Sequence, residues 1–118
     1  MRKIYHLSTC DTCQRIIKEL NLKEQGFEFQ DIKTENISAK QLDAVHEKVG
    51  SYETLFSKRA MKFRSMGLNE MNLTEKDYRK YILQEYTFLK RPVIWVGKNV
   101  FVGNSKKTVE AAKAELYE

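Results

Sequence analysis

At 118 residues the chain is long enough for one domain with its own core and too short for two comfortable ones. Its 42% hydrophobic and 31% charged content is that of an ordinary folded protein and excludes a disordered tail. A net charge of +5, spread from Arg2 to Lys113, suits an anionic partner but lacks the clustering of a dedicated nucleic-acid binder.

In the opening MRKIYHLSTC the apolar run breaks too early for a signal peptide, and no segment reaches the length of a membrane span. The expected compartment is the cytosol, where thiols stay reduced. Residues 3–7 (KIYHL) predict a short central strand. From Asp11 onward Ile16, Ile17, Leu20 and Leu22 follow helical spacing, with Gly26 as the stop. Residues 27–32 (FEFQDI) alternate as a second strand, completing a parallel βαβ unit.

Ser38 and Gln41 have the spacing of a capping box for a helix that closes at Gly50. Short helical patterns follow, broken near Ser57 and Gly67, and Thr74 with Asp77 starts another helix running toward Leu89. Within this all-helical block the SKRAMKFR stretch predicts an amphipathic helix with Ala60, Met61 and Phe63 against the core, so no direct contact with nucleic acid is expected. Past it, Val93 to Val96 and Val100 to Val102 flank Gly97-Lys98-Asn99 as a hairpin. Residues 105–117 place Val109, Ala112 and Leu116 on one helix face. This order suits an α/β fold, a four-stranded mixed sheet with helices on its faces.

Both cysteines lie in one Cys10-x-x-Cys13 pair. A closed zinc site needs four ligands, and His6 and His46 fall in a strand and a distant helix, so no metal is expected. A structural disulfide is disfavoured by the compartment and by the shortness of the loop it closes. Two inert buried thiols are the plain alternative. Location favours a redox pair instead. Cys10 stands where strand becomes helix, so unpaired N–H groups face its sulfur and stabilise a thiolate. Cys10 then attacks and Cys13, one turn into the helix, resolves. Asp11 opposes the thiolate and Arg15 favours it, with nearly cancelling effect.

With the motif Ser8-Thr9-Cys10-Asp11-Thr12-Cys13, the segment Leu89-Lys90-Arg91-Pro92-Val93-Ile94 and Gly103 closing the hairpin, the chain resembles the ArsC family over essentially its full length. That family comprises glutaredoxin-coupled arsenate reductases, reductase-like relatives and the Spx regulators of bacterial RNA polymerase. The resemblance implies one thioredoxin-like domain over residues 1–118, with halves at about 1–36 and 90–118 and a helical insertion at about 37–89. It assigns the nucleophile to Cys10 and implies that Pro92, the only proline, is cis beside the thiol, with Thr9 as a second structural neighbour. Read alone, Pro92 is simply a proline opening a strand.

Arsenate reductases of this type hold their oxyanion with three arginines, the bidentate and always-charged donors that a tetrahedral anion needs. Arg91 matches one. Arg59 or Lys58 stands near the second, and Gly103 or Val102 replaces the third. That loss argues against arsenate turnover, and Cys13 is itself a departure from arsenate reductases that recruit glutathione. The resemblance therefore implies a cytosolic thiol oxidoreductase with no bound cofactor, restored by a glutaredoxin or thioredoxin system with glutathione as an external reductant. The alternative is an Spx-like redox switch that binds RNA polymerase. No membrane association is implied by either.

Overall fold

The computed structural model describes residues 1–117. The strands are β1 (Arg2–His6), β2 (Glu28–Asp31), β3 (Val93–Val96) and β4 (Asn99–Val102); the helices are α1 (Asp11–Glu19), α2 (Ala39–Val49), α3 (Tyr52–Leu55), α4 (Met61–Ser65), α5 (Glu75–Gln84) and α6 (Lys106–Tyr117). The chain divides into two compact units: Met1–Glu35 together with the segment that begins at Arg91, and Asn36–Lys90.

The first unit is a four-stranded sheet of order β2-β1-β3-β4. β1 pairs with β2 in parallel, His6 opposite Asp31, and with β3 antiparallel, Tyr5 opposite Val93. β1 is thus central, as its sequence predicts. One sheet face carries Ile4, Ile94 and Val96, and on it pack Ile16 and Ile17 of α1, its cap Leu20, and Val109 and Ala112 of α6. The opposite side of β1 holds a buried charged residue, Lys3, its Nζ 2.8 Å from the Glu28 carboxylate.

α1 ends at Glu19, well short of Gly26. The reason is Asn21, left-handed at φ 55°, which follows the Leu20 cap and hands the chain to a tight turn at Leu22–Glu24. Asn tolerates this conformation better than other side chains, so it does here what Gly was expected to do further on. The β3–β4 loop is Gly97-Lys98 alone, because Asn99 already pairs with Val96; the left-handed Gly97 makes so short a loop feasible.

The second unit is helical. Both capping boxes form: Ser38 Oγ accepts the Gln41 N–H while Gln41 Oε1 accepts the Ser38 N–H, and Thr74 with Asp77 does the same. Each satisfies two otherwise orphaned donors. α5 stops at Gln84 rather than at Leu89. Glu85 turns extended, and its carboxylate accepts from the Thr87 N–H and hydroxyl, capping a new turn at Tyr86–Phe88. The core centres on Phe56, whose ring lies 4.9 Å from Phe88, 5.0 Å from Tyr78 and 5.7 Å from Phe63. An isolated bridge joins Phe56 to Leu89, the one β contact described in the block.

Met61 is the clearest correction. It is 90% exposed rather than core, and α4 has no buried residue, because Phe63 alone turns inward and only half-buries itself on Phe56. Three helices are tied instead by a polar network. Arg79 donates in bidentate fashion to Asp43 at 2.8 and 3.0 Å, the Tyr52 hydroxyl donates to Asp43 at 2.6 Å, and His46 stacks on Tyr52 at 3.9 Å.

Phe56→Ala should destabilise this unit by about 3–5 kcal/mol, read as a lower urea midpoint. Arg79, then Tyr52, hold Asp43 down at about 2 by hydrogen bonding. A carboxylate depressed in the folded state stabilises above its unfolded pKa and loses that contribution as pH falls through the folded one. Thermal stability should therefore drop between about pH 4 and pH 2, and Asp43→Asn should flatten the drop. Both partners are more than a third exposed, which limits the effect to about 1 kcal/mol or less.

Candidate active site

β1 ends at His6, and α1 begins after four intervening residues. Cys10 is its N-cap, extended at φ −95°, with its N–H donating to the Leu7 carbonyl at 3.0 Å and its carbonyl accepting from Gln14 at 3.1 Å. Both cysteines are free thiols; Cys10 is half-buried and Cys13 fully buried. The cap position carries a sulfur rather than the oxygen of a usual capping side chain. An ionised sulfur fills that role better than a thiol, since first-turn N–H groups lack intrahelical partners.

Burial raises the Cys10 pKa, but the Cys13 N–H, the Cys13 thiol and the Arg91 guanidinium all donate to the sulfur. Together they hold it below the ordinary thiol value. Cys13 goes the other way. Burial pushes it up to about 12, and the adjacent Cys10 adds to the rise, while the Leu7 N–H and the Arg91 charge offset part of it. Two chemically identical side chains are thus drawn apart, half-buried Cys10 below the ordinary thiol value and the more deeply buried Cys13 above it.

Arg91 reaches the thiol through sheet register. Because Val93 lies opposite Tyr5, the residues before β3 lie at the end of the sheet where β1 gives way to α1. The Arg91–Pro92 peptide is cis, as the resemblance implies, and the Pro92 carbonyl accepts the Gly103 N–H at 2.9 Å. Arg15, which from sequence could favour the thiolate, faces Glu19 one turn on at 3.7 Å. Thr9 is exposed in the turn before Cys10.

Lys58 and Arg59 belong to the helical unit and are exposed; Lys58 is 2.7 Å from the Glu53 carboxylate. His6 and His46 are likewise divided between the units, and no group of three or more His, Cys, Asp or Glu suited to a metal occurs among the described residues. No described helix is long and apolar enough to cross a membrane.

Sequence reasoning missed the polar residues behind the turn. Gln14 donates its amide to the Leu7 carbonyl at 3.1 Å and meets His6 Nδ1 at 3.4 Å. Asp31 accepts from the Ser8 N–H at 3.2 Å. Strand position could have suggested Asp31, which ends β2 beside β1, but nothing in the local pattern marks Gln14.

A cysteine pair at the start of the first helix, a cis proline before the third strand and a mixed β2-β1-β3-β4 sheet define a thioredoxin-like α/β protein. The ArsC family model matches residues 5–112, and the chain belongs to the ArsC family. Among solved structures, an arsenate reductase from Vibrio cholerae superposes with a TM-score of 0.79 at 12% identity, covering 93% of this chain and 95% of that one. An arsenate reductase (ArsC) related protein from Brucella melitensis superposes at 0.70 with 26% identity, covering 93% and 92%. No curated protein matches the sequence.

Iodoacetamide should alkylate Cys10 at neutral pH, and mass spectrometry should find Cys13 unmodified in the folded protein. Arg91→Ala removes one donor and the nearby positive charge, so alkylation at pH 7 should slow by about three- to tenfold and the rate profile should move to higher pH.

Proposed function

We propose that this protein is a cytosolic thiol oxidoreductase of the ArsC reductase-like group, with Cys10 as nucleophile and Cys13 as resolving thiol. The observation that carries the reading is the opposed pull on the two sulfurs, one lowered by three donors and the other raised by burial. The Cys10 thiolate attacks one sulfur of a disulfide substrate and expels the other as a thiolate, forming a mixed disulfide. Cys13 gives up its proton and attacks the Cys10 sulfur. The substrate's second thiol leaves, and the Cys10–Cys13 disulfide now holds the oxidation that the substrate lost. An external dithiol of the glutaredoxin or thioredoxin type, or glutathione, returns two electrons to the pair. Arg91 stabilises the attacking thiolate and offers an anionic group on the substrate a bidentate donor.

A second reading, an Spx-like regulator whose disulfide controls docking on RNA polymerase, is supported by one observation. The α4 surface is exposed, with Met61 among Arg59, Lys62 and Arg64.

NADPH oxidation should report both readings. Coupled to glutaredoxin or thioredoxin, the protein should turn over a small disulfide such as hydroxyethyl disulfide. Cys10→Ser should lower that rate by more than about a hundredfold, and Cys13→Ser should trap the mixed disulfide. Arsenate should give no turnover, since Gly103 or Val102 replaces the third arginine of arsenate reductases. Absence of disulfide turnover, with RNA polymerase binding that depends on the Cys10–Cys13 redox state, would favour the regulator.

A further inference from the structure

Asp31 closes β2 with its carboxylate aimed at the neighbouring β1–α1 turn. Its Oδ1 accepts the Ser8 N–H at 3.2 Å and the Lys33 N–H at 3.2 Å, the Ser8 hydroxyl also donates to it, and His6 stands beside it. Ser8 lies two residues before Cys10. Ser8 and Thr9 are exposed, and the remaining ties on the turn converge on Leu7, whose carbonyl takes the Cys10 N–H and the Gln14 amide. Among the described residues Asp31 is the partner of both Ser8 donors.

We propose that Asp31 is a positioning residue for the reactive thiol: by holding Ser8 from the adjacent strand it sets the turn that places the Cys10 sulfur on the first turn of α1. This rests on Cys10 being the nucleophile. The physical ground is that hydrogen bonds to sulfur weaken steeply with distance and angle, so a turn free to shift costs the thiolate its donors. Asp31 is also a negative charge, and as a charge alone it disfavours a nearby thiolate. The two roles have opposite signs. Losing a mere charge speeds thiolate chemistry at neutral pH, whereas losing the clamp slows it. Asn at this position keeps an acceptor oxygen for Ser8 without the charge.

The test is the pH profile of Cys10 alkylation by iodoacetamide, read by mass spectrometry on the full chain, with thermal melts alongside. Asp31→Ala should react about three- to tenfold more slowly at pH 7 with its profile displaced to higher pH, while Asp31→Asn stays within about twofold of wild type. A change in melting temperature alone moves no such profile. If Asp31→Ala does not fold, Asp31→Ser, whose oxygen is too short to span to Ser8, takes its place. Alanine or serine variants that react as fast as wild type, or faster, overturn the proposal. A wild-type Cys10 that reacts like a free thiol rejects the nucleophile assignment, and the positioning role with it. A displaced wild-type profile that is unchanged on losing Asp31 rejects the positioning role alone.

Discussion

A buried strand that must become a helix within four residues leaves backbone N–H groups with no intrahelical partner, and this chain places a sulfur over them. β1 ends at His6, α1 begins at Asp11, and Cys10 is the cap between. A neutral thiol is a poor acceptor for those donors and a thiolate a good one, so the local backbone favours the ionised form. The rest of the sheet unit follows from that constraint. The sheet order puts β3 beside β1 so that Arg91 arrives at the same end, and packing on Ile4 holds α1 where its first turn points at that end.

Depth, rather than neighbours in sequence, separates the two thiols. Cys10 and Cys13 share a helix turn and the same nearby arginine, yet burial dominates at Cys13 and donors prevail at Cys10. The main chain of Leu7 serves both. Its carbonyl ties down the Cys10 N–H and the Gln14 amide, while its N–H faces the Cys13 sulfur. A pair so divided fits the proposed exchange chemistry, in which Cys10 attacks and Cys13 waits for an adduct to bring it a target.

The helical unit is held by other means. Short helices have little propensity of their own. Here they lean on capping boxes, on the ring cluster around Phe56 and on the Asp43–Arg79–Tyr52 network. α4 is the exception, lying on the surface with its methionine outward.

Strand periodicity, the Ser38–Gln41 capping box, the helix start at Thr74 and the position of Cys10 at a strand-to-helix junction were legible from residues alone, because each is a short-range pattern whose partners lie within a few positions. The resemblance to a known family added the cis proline and Arg91. The patterns failed where a local signal met a competing partner. Asn21 ended α1 before Gly26 could, Glu85 capped a new turn that cut α5 short, and Met61 turned outward while Phe63 took the place beside Phe56. The sequence by itself determined where the Cys10-x-x-Cys13 pair lies and the order of its supporting elements. Only the tertiary structure decided which cation meets the sulfur, that the two thiols shift in opposite directions, and that Asp31 accepts from Ser8 across the strands. Those depend on strand register and burial, which bring together residues many positions apart.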